Sequence, residues 1–222
     1  MKSAAFNQMM AQALTTPLNV VTDCTRRLKE AGLLSTAPRG APAPDMTTLD
    51  ASRVTLALLT TSSPAQCVER VKRFGQIKYS PNFRKRYQGY QTIQPEEFAA
   101  LFQGETLEEV LASLFGLPQR IGIEPACVWF QENVFHLRVH DFDVLAELFS
   151  WVMAEDRNTI IGERVVPFKG KIYADHVEGQ FPRPVEGWTP IKGGVRTTRE
   201  IAAIQFSAIG FGLMHDPKED GT

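Results

Sequence analysis

One stretch of the sequence, residues 18–59, constrains the fold more than any other. It begins LNVVTDCTRRLKEAGLL, continues STAPRGAPAPDMT and ends TLDASRVTLALL. The first and last segments carry apolar residues at helical spacing. The middle segment contains three prolines, Arg39 and Gly40, which makes it too rigid and too apolar for a simple flexible linker. The pattern therefore predicts a helix, a rigid loop over residues 35–45 and a second helix.

A shorter helix precedes this stretch. Phe6, Met9, Met10, Ala13 and Leu14 are helically spaced, so residues 3–14 are predicted to form an amphipathic helix with Ser3 as its N-cap. A break at residues 15–17 follows, and Thr16 is expected to cap the next helix, residues 17–31, which Gly32 ends. Two short helices joined by a tight turn are typical of a helix-turn-helix. A helical hairpin with a solvated face is the alternative, and the rigid loop favours the helix-turn-helix.

The second helix has an apolar stripe and a polar side. The stripe consists of Val20, Cys24, Leu28 and Ala31, whereas the opposite side is predicted to carry Asn19, Thr22, Thr25, Arg26 and Lys29. After the loop, Thr47 or Thr48 is expected to cap a third helix with Asp50 in its first turn. The apolar residues of that helix are predicted to close over the first two: Val54, Leu56, Leu58 and Leu59.

The run RRLKEAGLL, the Arg-Gly pair in the loop and the following M-T-x-x-D-A resemble the winged helix-turn-helix of MerR-type DNA-binding domains, over about residues 3–60. The stretch is also similar to the DNA-binding end of some phage small terminase subunits. The resemblance implies that helix 17–31 enters the major groove and that wing 35–45 contacts the flanking backbone. It assigns DNA contacts to Asn19, Thr22, Thr25, Arg26, Arg27, Lys29 and, on the wing, Arg39. The usual wing aromatics, coiled coil and effector-binding cysteines are missing, which argues against metal or drug sensing.

The net charge of −1 conceals a division along the chain. Residues 1–90 contain 13 Lys and Arg against 5 Asp and Glu, and the remainder contains 11 against 20. The basic excess thus lies on the part that resembles a nucleic-acid reader. Within residues 76–91, basic and aromatic residues alternate, and Arg84, Lys85 and Arg86 are predicted to contact the DNA backbone. The alternative for residues 76–91 is a connector with solvated charges. The alternative for the charge division is that the basic part of the chain docks on the acidic part or on a partner.

The predicted fold class is α+β, with an all-helical winged helix-turn-helix and basic extension at residues 1–90 and a small α+β domain at residues 91–222. Residues 63–74 are predicted to be helical, with Arg70, Lys72 and Arg73 facing outward. In the second domain we predict helices at 95–102, 107–115 and 143–154 and a hairpin formed by 126–130 and 134–140. Residues 164–174 fit a strand or a hairpin that turns at 169–170, and residues 195–201 fit a strand. Residues 201–213 fit a helix or a strand, and residues 215–222 a polar tail.

Strand alternation would place His136, Arg138 and His140 on one face, close to Asp141 and Asp143. Such a set could bind a metal or act in acid-base chemistry, but a solvated strand face is the more ordinary interpretation. No nucleophile-elbow, phosphate-loop or zinc-protease motif is present. We therefore expect no enzymatic activity and no cofactor. The three cysteines Cys24, Cys67 and Cys127 lack paired spacing and are expected to be buried and free.

The sequence thus predicts a double-stranded DNA-binding protein, a transcription regulator linked to phages or prophages. A DNA-packaging component of small-terminase type and a protein-interaction module without DNA are the alternatives. A homo-oligomer is expected, with a dimer favoured, and the acidic C-terminal half is a candidate surface for a protein partner. The sequence shows neither a signal-peptide pattern nor a long apolar run, so we expect a cytoplasmic protein with no membrane contact.

Overall fold

The computed structural model describes residues 1–38, 40–61, 63–81, 90–140, 145–155, 159–170 and 198–214. The helices of these ranges are α1 (Ser3–Ala13), α2 (Leu18–Glu30), α3 (Thr48–Thr60), α4 (Cys67–Gly75), α5 (Pro95–Leu101), α6 (Leu107–Phe115), α7 (Leu117–Ile121), α8 (Ile123–Glu132) and α9 (Ala203–Met214). A 3-10 turn, Pro64–Gln66, precedes α4. The strands are β1 (Lys78–Tyr79), β2 (Tyr90–Thr92), β3 (His136–His140), β4 (Leu145–Met153), β5 (Ile160–Lys169) and β6 (Thr198–Ile201).

The mixture of helices with a largely antiparallel sheet confirms the α+β class. The strand order is β1-β5-β4-β3-β6, and β2 pairs with β5 in parallel. One face of the sheet joins the hydrophobic core of the helices. This face is formed by Leu137, Val139, Ala146, Leu148, Val166, Phe168 and Ile201.

The core is continuous across the predicted domain boundary at residues 90 and 91. Val54 and Leu56 of α3 belong to the same core cluster as Val110 and Leu111 of α6. Helix α3 packs against α4 on its own side of the boundary and against α6 on the other. The division into two folding units stays a prediction, since a shared core does not measure how each part folds alone.

The predicted end of α2 is confirmed. Gly32 has a φ of 70°, which a residue with a Cβ adopts only with strain. The amide of Gly32 donates to Lys29 O at 2.9 Å and that of Leu33 to Leu28 O at 2.9 Å. These two bonds form a Schellman motif and satisfy the last carbonyls of the helix.

The predicted N-caps of the first two helices are wrong. Lys2 and Pro17 occupy the cap positions, without a side-chain cap bond. The Ser3 hydroxyl instead accepts from Lys29 Nζ at 2.7 Å. The Thr16 hydroxyl donates to Leu14 O at 3.1 Å. In both cases the hydroxyl forms a hydrogen bond with another group and does not accept one from the N-terminal backbone of the helix.

The predicted cap of α3 is confirmed as a complete capping box. Thr47 Oγ1 accepts from Asp50 N at 3.1 Å, and the Asp50 carboxylate accepts from Thr47 N at 2.7 Å. The second Asp50 oxygen accepts from Ser35 N at 2.8 Å. Asp50 thus fixes both the start of α3 and the beginning of the loop that leads to it.

We expect Asp50→Ala to lower the free energy of unfolding by about 1–3 kcal/mol, because it removes the carboxylate half of the capping box and leaves the backbone N–H groups of Thr47 and Ser35 without their acceptors. Urea denaturation measures the change. Asp45→Ala is the matched control, since the Asp45 carboxylate is 61% exposed and pairs with Met1 and Lys2; its effect should stay below about 1 kcal/mol. Equal effects of the two variants would contradict the cap assignment.

Two predictions in the C-terminal part are wrong. Residues 126–130 lie in α8, and residues 143–154, predicted as a helix, contain β4 where they are described. The first five residues of β4, LAELF, are all buried, so both faces of the strand are covered there, and Glu147 is the one charged residue among them. A strand covered on both faces loses the alternation that distinguishes it from a helix. Helix α8 contains Val, Trp and Phe, which are common in strands.

Other predicted elements are confirmed. Helices α4, α5 and α6 lie where the apolar spacing predicts them, and β6 falls within the predicted strand at 195–201. Residues 203–214 form a helix, which resolves the open alternative. Strand β5 begins four residues before the predicted start and ends at Lys169. Residues 171–174 and 195–197 and the tail lie outside the described residues, so the predicted turn at 169–170 stays a prediction.

Candidate nucleic-acid interface

Helix α2 packs on the helical layer by one side and faces solvent by another. Val21 and Leu28 are fully buried and Cys24 is 2% exposed, and α2 contacts α3 and α4. Asn19, Thr22 and Arg26 are exposed, and their spacing of three and four residues places them on one stripe. The helix predicted to contact DNA therefore presents a polar stripe of the expected kind.

Thr25 does not belong to that stripe. Its side chain is 2% exposed, and its hydroxyl donates to Asn7 Oδ1 at 3.0 Å. Helix α1 packs against this side of α2, so α2 buries two faces and not the single face predicted from its apolar residues. Thr25 is thus corrected from a DNA contact to a buried hydrogen-bonding partner of α1.

The two arginines of α2 are paired with carboxylates of the same helix. Arg26 lies 2.5 Å from Asp23 and 2.7 Å from Glu30, and Arg27 lies 3.2 Å from Asp23. Hydrogen bonds from Arg26 and Arg27 hold the pKa of Asp23 below its usual range, and Asp23 and Glu30 raise the pKa of Arg26. Lys29 donates to Ser3 on α1. The stripe is therefore hydrogen-bonding in character and nearly neutral in charge.

The loop between α2 and α3 is anchored to the N-terminus. The Met1 ammonium lies 3.0 Å from Asp45, Met46 N donates to Met1 O at 2.9 Å, and Lys2 Nζ donates to Ala43 O at 2.7 Å. Residues 35–38 and 40–45 of the predicted wing contain no strand. Arg39, its proposed contact, lies outside the described residues. Helix, loop and helix follow in the predicted order, and the wing itself stays a prediction.

Helix α4 carries a group of three positive charges. Arg70, Lys72 and Arg73 have no ion-pair partner in the parts of the chain that the structure describes. Burial, together with the neighbouring Arg70, lowers the pKa of Arg73. Glu69 is the acidic residue of this helix. Arg84, Lys85 and Arg86, further along the chain, lie outside the described residues, so their predicted backbone contacts stay predictions.

The second face of the sheet contains a cluster of charges. The prediction that His136, Arg138 and His140 share one face is confirmed, since Leu137 and Val139 between them are in the core. Arg138 lies 3.7 Å from Glu147 of β4 and 3.5 Å from Glu200 of β6. These glutamates are its direct cross-strand neighbours.

The histidines of this face also pair with carboxylates. His140 Nε2 lies 3.3 Å from Glu147, which is fully buried, and His136 Nδ1 lies 3.4 Å from Glu200. The Arg138 guanidinium carbon also stands 3.9 Å from the centre of the Phe149 ring. No group of three or more His, Cys, Asp and Glu among the described residues is arranged to hold a metal ion. The geometry is that of an ion-pair cluster in the sheet.

The prediction of buried, free cysteines is confirmed for Cys24 and Cys67, which are 2% and 0% exposed. Cys67 Sγ lies 3.9 Å from Cys24 O. The adjoining Cys67 thiol and burial raise the pKa of Cys24, so this thiol stays protonated and packs as a small apolar group. Cys127 is free but only partly buried.

No protein-family model, curated protein or solved structure matches the chain. None of the helices in the described parts of the chain is long and apolar enough to cross a membrane. The case for a function therefore rests on the geometry of the molecule itself.

Proposed function

We propose that the protein binds double-stranded DNA through α2 and acts as a transcription regulator in a phage or prophage context. The observation that carries the proposal is the exposed stripe of Asn19, Thr22 and Arg26 on a helix whose other sides are packed against α1, α3 and α4. A helix held in this way can enter the major groove without rearranging the fold.

The side chains of the stripe have the chemistry that reads base edges. Asparagine pairs with adenine through two hydrogen bonds, arginine pairs with guanine in the same way, and threonine contacts either a polar edge or the thymine methyl. Arg26 has to exchange a carboxylate partner for a base or phosphate. Because its partners Asp23 and Glu30 are 34% and 61% exposed, this exchange costs little.

The positive charges of α4, which have no carboxylate partner among the described residues, supply the sequence-independent part of the proposed binding. Lysine and arginine near phosphates release condensed counterions, which makes affinity fall steeply with salt. Arg27 and Lys29 of α2 are further candidates for phosphate contacts, as are Arg39 and Arg84–Arg86 in the parts of the chain not described. Specificity then belongs to the α2 stripe and attraction to the surrounding basic residues.

We expect Arg26→Gln to weaken binding by about 1–3 kcal/mol and to relax the sequence preference, because the guanidinium is assigned to a base edge. Sequences are first selected from pooled genomic fragments and then titrated by mobility shift at two salt concentrations. Arg120→Gln is the matched control, since Arg120 is exposed on α7 and donates to Ser113.

Glu30→Gln changes the surroundings of Arg26 and is expected to raise the DNA affinity, whereas Arg26→Gln lowers it. Glu30→Gln removes an anion beside Arg26 and should strengthen binding severalfold at low salt, because less negative charge then faces the phosphates. A loss of affinity that is uniform over all sequences in Arg26→Gln would make Arg26 a phosphate anchor. No salt-dependent binding of the wild-type protein at all would overturn the proposal.

A homo-oligomer, with a dimer favoured, is part of the proposal. Its support is a group of apolar side chains near the β4–β5 connection that are exposed by 39–58%: Trp151, Met153, Ile160 and Ile161. Exposed apolar side chains that lie together commonly mark contacts between chains. Light scattering distinguishes a dimer, which suits a palindromic operator, from the ring that a packaging component would form.

A further inference from the structure

A cavity of about 290 Å³ lies between α2, the C-terminal end of α3 and strand β6. Its wall is formed by Thr16, Val20, Cys24, Leu58, Thr61, Pro64 and Arg199. Four of these side chains are apolar or behave so, because the Cys24 thiol is protonated and buried. The volume falls at the lower end of the range of small-molecule sites, so an occupant would have few non-hydrogen atoms.

Arg199 is the charged group of this cavity, and its position in the sheet is unusual. Arg199 of β6 pairs with Val139 of β3, and two residues further along β6 Ile201 pairs with Leu137. Those three neighbours belong to the hydrophobic core, so Arg199 projects from the apolar face of the sheet. At that position the pattern of the strand favours an apolar residue, and a cation calls for an explanation.

The contacts of Arg199 with the described residues use little of its hydrogen-bonding capacity. Nη1 donates to Leu59 O at 3.3 Å, near the end of α3. Among the described residues no carboxylate pairs with the guanidinium, and none lines the cavity. A guanidinium has five N–H donors in a planar fork that matches a carboxylate. The bond to Leu59 O accounts for one of these donors.

Two hydroxyl groups, those of Thr16 and Thr61, are the other polar side-chain groups of the cavity wall. Thr16 Oγ1 already donates to Leu14 O, and Thr61 Oγ1 already donates to Ser63 O or Gln66 Oε1. Thr61 Oγ1 also accepts from Ser63 N at 3.0 Å. Each hydroxyl oxygen retains a lone pair that can accept a hydrogen bond from an occupant, but neither offers a further proton to an anion. The negative group of an occupant would consequently lie at Arg199, and its body against Val20, Leu58 and Pro64.

From these contacts we infer that the cavity is a binding site for a small monocarboxylate with an apolar body, such as a single-ring or short branched-chain acid, held by Arg199. Inorganic phosphate carries the same sign of charge but has no apolar part to pack against Val20, Leu58 and Pro64. A neutral alcohol of the same shape packs against these side chains but leaves Arg199 without an anion. The inference does not depend on whether α2 contacts DNA.

The test measures binding of sodium benzoate to the full-length protein by calorimetry, with benzyl alcohol and inorganic phosphate as parallel probes. Benzoate is expected to bind at one site and to raise the melting temperature, and the two other probes are expected to bind at least about tenfold more weakly. Arg199→Gln should lower the benzoate affinity by about 10–100-fold, since it removes a charged hydrogen-bonding group. Lys72→Gln, which removes a positive charge from the exposed side of α4, should leave the affinity unchanged.

A second variant tests the site independently, in case Arg199→Gln does not fold. Val20→Phe keeps Arg199 but fills the cavity from α2, and it should abolish benzoate binding while circular dichroism shows a folded protein. Absence of benzoate binding to the wild type would overturn the inference. So would equal binding by Arg199→Gln, equal binding of benzyl alcohol or of phosphate, or full binding by Val20→Phe; in those cases Arg199 serves only as a cation at the end of α3.

Discussion

Glu108→Ala is expected to lower the free energy of unfolding by about 3–5 kcal/mol, because it leaves a partly buried guanidinium without its anion. The Glu108 side chain is 8% exposed and that of Arg53 is 22% exposed. Arg53 Nε and Nη2 each donate to the carboxylate at 3.1 Å. The pair is thus bidentate, which is the strong geometry for these groups.

Further bonds complete the surroundings of this pair. Gln76 Nε2 donates to Glu108 Oε1 at 2.8 Å, and Arg53 Nη1 donates to Leu33 O at 2.7 Å. Gly75 ends α4 at the same place, and a Cβ there would lie 2.6 Å from Glu108 Oε2. Glu108 therefore connects α6 to α3, to the end of α4 and, through Arg53, to the loop after α2. Its loss should loosen these three connections together.

Urea denaturation followed by circular dichroism measures this change. Glu105→Ala is the matched control, because Glu105 is 81% exposed and pairs with Lys78, itself 65% exposed; the change should be below about 1 kcal/mol. Glu108→Gln keeps the size of the side chain and should fall between the two. A value for Glu108→Ala as small as the control would show that water screens the Arg53 pair.

Local signals in the sequence predict the helices that have clear ends. Thr47 with Asp50 marks the start of α3, and Gly32 marks the end of α2, since each residue acts through neighbours a few positions away. Helices α5 and α6 follow from apolar spacing in the same way. Information of this kind is contained in a short window and needs no knowledge of the rest of the fold.

Tertiary pairing determines what the sequence does not predict. Strand β4 has β3 and β5 on its two sides and is buried on both faces along its first half, so its apolar run fits a helix equally well. Thr25 is polar, yet it is buried because α1 covers its side of α2. Neither outcome follows from the periodicity of one segment.

The candidate sites also contain features that local sequence spacing predicts and features that depend on tertiary contacts. The exposed stripe of Asn19, Thr22 and Arg26 is predicted from helical spacing alone. The pairing of Arg26 with Asp23 and Glu30 follows i,i+3 and i,i+4 spacing, so the signal for it is present in the sequence. Arg199 lies 140 residues from Leu59, its hydrogen-bond partner, so no sequence pattern could place it in a cavity beside α2.

The charged face of the sheet leads to the second large effect: Arg138→Leu is expected to cost about 3–5 kcal/mol of unfolding free energy. Arg138 is 18% exposed and lies within 3.7 Å of Glu147, Glu163 and Glu200 on three other strands. Glu147 is fully buried. Removing the cation leaves three carboxylates in mutual repulsion, with one of them shielded from water.

Thermal and urea unfolding at neutral pH measure the effect, with Arg164→Leu as the matched control. Arg164 pairs with Glu97, and both side chains are more exposed, at 38% and 43%, so its loss should cost below about 1 kcal/mol. In Arg138→Leu, adding Glu147→Gln should restore part of the stability, because the buried negative charge is gone. If the double variant is instead less stable than Arg138→Leu, Glu147 draws its stabilisation from groups other than Arg138, and the face is not organised around this arginine.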